Sequence, residues 1–133
     1  FSLFAVSSAF AGKCPQPRKT KSAPAGTART DKTAKANAAN GEKIYMKKAK
    51  PMACQMCHGK KGDGTGKLGK AFKPPKAPRN FTCAATMKKV SAGQMFWIIK
   101  NGSKGTGMVA HKKTLKDKEI WDVVKYIRST FVK

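Results

Sequence analysis

The chain has 133 residues, room for one domain, and carries 29 Lys and Arg against 6 Asp and Glu, a formal net charge of +23. No apolar run reaches the ~20 residues of a membrane span. So large a positive excess goes beyond an ordinary solvated surface and points to acidic or anionic partners.

Residues 1–11, FSLFAVSSAFA, carry no charge and read as the end of a secretory apolar region, closing on the small-x-small cleavage signal Ala9-Phe10-Ala11. Cleavage after Ala11 is expected, with an uncleaved anchor as the alternative. Residues 12–36 are rich in Pro, Thr, Ala and Lys and poor in apolar bulk, too poor to offset the entropy of ordering. They read as an extended basic arm or linker. Cys14 stands out in it, because a free thiol is unusual outside the cytoplasm. Cys83 is the other cysteine without a motif, so a Cys14–Cys83 disulfide is expected. The alternative is two separate cysteines, one pairing between molecules.

From residue 37 the pattern is helical. NAANGEKIYMKKA places Ala38, Ile44, Tyr45 and Ala49 on one face, with Gly41 as a notch in it. Cys54-Gln55-Met56-Cys57-His58 follows. A zinc site needs four ligands, and Cys14, Cys83 and His111 form no second knuckle. A thioredoxin-like pair needs a strand context that is missing. A Cys54–Cys57 disulfide is the plain structural reading. C-x-x-C-H is the attachment sequence for c-type haem: two thioether bonds anchor one turn of chain, and the next residue, His58, lies under the iron as an axial ligand. Such attachment is made outside the cytoplasm, which agrees with the export signal.

A sixth ligand is then required, and methionine is the usual partner of histidine in electron-transfer haem. Met52 and Met56 lie too near the attachment turn. Met46 and Met95 fall within helical patterns and read as core, and Met87 is in a short polar stretch. Met108 follows the glycine-rich run NGSKGTG and precedes the last helix. It is the candidate, with His111 as the rival that gives a bis-histidine haem. The loop from Gly59 to Asn80 is rich in Gly and Pro. SAGQMFWIIKNG reads as a helix with Ser91 as N-cap and Asn101-Gly102 as stop. TLKDKEIWDVVKYIRSTFVK is amphipathic, with Ile120, Val123, Val124, Ile127 and Phe131 on one face beside Trp121, and with Thr114 and Asp117 as a weak capping box.

GEKIY, CQMCHGKKGDG, IIKNGSKGTGM and TLKDKEIWDVVKYIRS stand in the order and spacing of the class I c-type cytochromes, which the chain resembles from about Ala38 to Phe131. It is more similar to small bacterial cytochromes, and to the cytochrome c domains of oxidase and oxidoreductase complexes, than to the mitochondrial type. The resemblance implies an all-α cytochrome c fold, about three to five helices around one haem c bound through Cys54 and Cys57. That domain would occupy residues 37–133, behind the basic arm. It also implies that Gly41 and Tyr45 cross the last helix near Trp121 and Tyr126. Trp97, Ile98 and Phe81 should line the haem pocket, and Pro74 or Pro75 should offer a carbonyl to the His58 Nδ1–H. Where the family carries a proline after the axial methionine, this chain has Val109.

The function this implies is that of a monohaem one-electron carrier between redox proteins, periplasmic or otherwise exported, that transforms no small-molecule substrate and is not an enzyme. The alternative is a fixed haem subunit of a larger oxidoreductase complex. A haem sensor or peroxidase would need an open sixth position. Export, haem and the lack of aromatics interleaved with the lysines argue against a nucleic-acid partner. Acidic redox proteins, such as a terminal oxidase or a donor complex, remain, together with an anionic membrane surface.

Overall fold

A computed structural model describes residues 14–17 and 20–133. The export-signal reading of residues 1–11, and cleavage after Ala11, lie outside the described residues. Those residues form six α-helices and no strand: α1 Ala25–Arg29, α2 Ala38–Lys43, α3 Gln55–His58, α4 Ala84–Met87, α5 Ala92–Asn101 and α6 Asp117–Thr130. This is the all-α class expected, with α1 and α4 added to the helices that periodicity shows. No helix among the described residues is long and apolar enough to cross a membrane.

The frame is the crossing of α2 and α6. Asn37 caps α2, its side chain accepting from the Asn40 N–H, and the helix runs on into a π-helical turn, Ile44–Lys48. A Cβ at Gly41 would run into the Asp122 backbone carbonyl and the Tyr126 side chain, so only glycine lets the two helices approach this closely. Tyr45 then packs on Tyr126 and Phe131, each 5.4 Å away between ring centroids. This crossing is where the resemblance placed it, except that Trp121 stacks on Phe96 of α5, at 4.5 Å. The fully buried Asp122 closes the crossing: its carboxylate accepts from the Asn37 N–H at 2.7 Å and the Asn40 side-chain amide at 2.8 Å. A buried carboxylate needs such partners to offset its lost hydration.

The ends of the long helices differ in one respect from expectation. Ser91 caps α5 by accepting from the Gln94 N–H. At α6, however, the Glu119 carboxylate accepts from the Lys116 N–H at 2.9 Å, while the Thr114 hydroxyl donates to the Lys50 carbonyl at 3.1 Å. Lys116 and not Thr114 therefore precedes the helix. Thr114 instead ties this loop to the segment just before the attachment turn.

The N-terminal arm also departs from expectation. Residues 20–36 carry α1 and a 3-10 turn, Thr33–Lys35, and α1 packs against α5. Three of its carbonyls, those of Thr27, Ala28 and Thr30, occupy the space that a side chain at Gly93 would fill. The Gln94 amide group accepts from the Ala23 N–H at 2.7 Å and donates to the Lys21 carbonyl at 3.0 Å. The Ser91 hydroxyl donates to the Ala28 carbonyl at 2.6 Å. Composition argued for an extended arm because it counts apolar burial alone. Here backbone hydrogen bonds to polar side chains of α5, and a glycine notch, do the docking.

Candidate functional site

The attachment turn is α3 itself. Gly59 follows it at φ 83°, a conformation that favours glycine, and the buried Tyr45 hydroxyl donates to the Gly59 carbonyl at 2.7 Å. The α2 frame therefore holds the end of this turn directly. Cys54 and Cys57 are both free thiols. Burial pushes the Cys54 thiol up to about 12 and raises Cys57 as well, so both are held as neutral thiols. Cys14 and Cys83 are bonded to each other, their Cα atoms 5.7 Å apart. Neither is left to complete a zinc site, and among the described residues no group of three or more His, Cys, Asp or Glu could hold a metal ion.

Cys54, Cys57 and His58 open onto a cavity of about 170 Å³. One water needs ~10–15 Å³ by the same measure, and a void this large with apolar walls is a ligand site rather than a hydration pocket. His58 is held on two sides. Its Nδ1 lies 3.1 Å from the Arg79 carbonyl oxygen, which can only accept, so that nitrogen carries the proton. Its ring stacks on Phe81 with centroids 4.7 Å apart and planes 19° apart. Desolvation drives its pKa down to about 4, against the opposing pull of the Arg79 carbonyl. The imidazole is therefore neutral, with Nε2 left as a lone-pair donor, the form that ligates a metal.

The proline assignment is corrected by this contact. Neither Pro74 nor Pro75 but Arg79 supplies the carbonyl to His58. The two prolines belong to the exposed part of the loop and contribute only to the cavity wall. Phe81 and Ile98 line the cavity; Trp97, the neighbouring position on α5, is not among the lining residues.

Met108 lines the same cavity. Its loop is held without a proline: the Met108 N–H donates to Thr106 Oγ1 at 3.2 Å, and the Met108 carbonyl accepts from the Ser103 N–H at 3.0 Å. His111 lines the cavity too, and its buried Nδ1 has no hydrogen-bond partner. Burial lowers its pKa, against support for the charged form from the Lys50 backbone. A buried imidazole nitrogen without a partner is costly. Free thiols at attachment spacing, a neutral histidine and a thioether on one apolar cavity together fit a covalently attached haem.

Several wall residues are not evident from the sequence. Met87, read as part of a polar stretch, is 1% exposed and lines the cavity; the three-residue step to Val90, another lining residue, was its available signal. Gln16, Pro17 and Thr20 bring the N-terminal arm onto the wall, and nothing in their local sequence announces this. The exposed apolar residues Met52, Phe72 and Val109 also belong to the lining, placing apolar surface where the cavity meets solvent. Lys60, Lys61, Lys67, Lys70, Lys73 and Lys76 are exposed along the loop that follows His58.

Residues 36–127 match the family model described as cytochrome C oxidase, cbb3-type, subunit III. No curated protein matches the chain. Among solved structures, a chain of the Kuenenia stuttgartiensis reducing HAO-like protein complex Kustc0457/Kustc0458 is similar, with 28% sequence identity and a TM-score of 0.59. The match covers 78% of this chain and 46% of that one, so the present chain corresponds to about half of its structural relative.

Proposed function

We propose that this chain, which belongs to the cbb3-type cytochrome c oxidase subunit III family of c-type cytochrome domains, is a monohaem one-electron carrier working outside the cytoplasm. Its cofactor is covalently bound haem c, and its chemistry is haem electron transfer. The observation that carries the finer reading is the convergence of Cys54, Cys57, His58 and Met108 on one apolar cavity.

Bound haem c supplies one-electron redox chemistry. Cys54 and Cys57 would give the two thioether links, and His58 Nε2 and the Met108 sulfur would ligate its iron. Arg79 fixes the His58 tautomer and Phe81 its ring plane. The apolar wall, including Ile98 and Met87, would keep water from the bound group and so favour its less charged reduced form. Partners meet the cavity mouth, where Met52, Phe72 and Val109 offer apolar contact and the lysines of the loop steer acidic proteins. Export follows from the attachment chemistry and from the signal read in residues 1–11.

A second reading is a fixed haem subunit of an oxidoreductase assembly. It is favoured by the family description and by a structural relative that is itself part of a protein complex. Absorption spectroscopy of the holoprotein tests the site. A far-red methionine–iron charge-transfer band is expected, lost in Met108→Ala together with a fall in potential. Survival of the band in that variant, with loss in His111→Ala, would overturn the assignment.

A further inference from the structure

The cytochrome family match begins at residue 36, yet the segment before it touches the cavity. Gln16 is its key residue. The Gln16 side-chain amide donates to the Pro78 carbonyl at 3.1 Å, and its oxygen accepts from the Asn80 N–H at 2.7 Å. These two groups flank Arg79, whose carbonyl faces His58 Nδ1. The Gln16 backbone N–H is itself anchored to Thr86 Oγ1 at 2.9 Å. Two residues away, the Cys14–Cys83 disulfide fixes the segment to the start of α4. One glutamine therefore holds both peptide units that flank the Arg79 Cα, and the second of these carries the carbonyl that faces His58 Nδ1.

We propose that Gln16 is a positioning residue for the proximal histidine: by clamping Pro78 and Asn80 it holds the Arg79 carbonyl on His58 Nδ1–H and so sets the reduction potential. A carbonyl held in place strengthens the hydrogen bond and makes the imidazole a better donor to iron, which stabilises the ferric form. Loosening the clamp weakens that donation and favours the ferrous form. The proposal rests on His58 being an axial ligand, as argued above. It makes the N-terminal segment part of the redox apparatus and not merely a tether.

The experiment compares holoprotein variants in potentiometric titration and in NMR of the diamagnetic ferrous state. Gln16→Ala should shift the reduction equilibrium toward ferrous haem by more than twofold, about 18 mV upward at 59 mV per decade for one electron. Exchange of the His58 Nδ1 proton with solvent should quicken at least tenfold. Gln16→Glu keeps the acceptor for the Asn80 N–H but loses the donor to Pro78, and should fall between wild type and Gln16→Ala in both readouts. Ser91→Ala loosens the same N-terminal segment at the distant Ala28 contact and should shift the equilibrium by less than twofold. Retention of the wild-type denaturation slope shows that each variant is folded. An upward shift below twofold, a downward shift, or an equal shift in Ser91→Ala overturns the proposal. Failure of the underlying ligation has a different signature: in the wild type itself, the His58 ring protons would lack the ring-current displacement of a haem ligand.

Discussion

Replacing both Cys14 and Cys83 with alanine tests whether the N-terminal segment is folded onto the domain. The disulfide spans a sequence separation of 69. In the chain-entropy model, closing a loop of that length removes about 15 cal/mol/K from the unfolded chain, or roughly 4 kcal/mol at 25 °C. That figure applies in full only if the segment is already ordered in the native state, so that the bond restricts the unfolded chain alone. The structure meets this condition, because Gln16, the Gln94 contacts to Ala23 and Lys21, and the packing of α1 on α5 do not depend on the sulfur bond. Urea denaturation of the holoprotein should show a loss of about 4 kcal/mol, which at a slope of about 2 kcal/mol/M lowers the midpoint by roughly 2 M. The Ala23 amide should stay protected from hydrogen exchange in the variant. A loss below about 1 kcal/mol with an unprotected Ala23 would refute the reasoning, since a segment mobile in both states leaves the bond nothing to stabilise.

Gly41→Ala should cost about 3 kcal/mol, the upper end for overpacking, because the obstacle is the Asp122 backbone; an unchanged denaturation midpoint would mean that the helices do not cross there. Asp122→Ala strands the Asn37 N–H and the Asn40 amide and should cost about 2–3 kcal/mol in the same assay. Gly93→Ala should displace α1 and abolish exchange protection at Ala23 while leaving the far-red band in place; retained protection counts against the docking. Charge reversal at Lys70 and Lys73 should slow electron transfer to an acidic acceptor at low salt and leave the spectrum unchanged. Neutralising the exposed arm residues Lys21, Arg29, Lys32 and Lys35 is the comparison, and a rate independent of ionic strength would defeat steering from either surface.

What the sequence disclosed follows from how each feature is encoded. The α2, α5 and α6 segments are legible because apolar periodicity is local, and Ser91 is legible because an N-cap is a one-residue signal. The attachment turn is legible because the chemistry fixes the spacing of Cys54, Cys57 and His58. Contacts made by the backbone are not encoded in side-chain identity. The density of proline in the loop points to a proline carbonyl for His58, yet any residue has a carbonyl and Arg79 supplies it. The capping of α6 slipped by two residues because Thr114 had a competing acceptor, the Lys50 carbonyl, far off in sequence. Met87 is not legible as core because its neighbours in sequence are polar while its neighbours in space are not.

The arm shows the same limit most sharply, and it bears on function. Hydropathy treats residues 12–36 as unable to fold, since they bring little apolar surface. The structure orders the described part with glutamines, a serine and a disulfide, contacts whose partners lie on average some seventy residues away, as with Gln16 and Thr86 (70) or Ala23 and Gln94 (71). Such long-range polar contacts are invisible to a window. They also place the described part of the segment that precedes the family match against the loop whose Arg79 carbonyl meets His58. If Gln16 positions His58 as proposed, a change in this segment would move the potential without touching Cys54, Cys57, His58 or Met108. The six lysines after His58 stay on the exposed loop surface, so the proposed docking and the proposed tuning of the potential call on different residues.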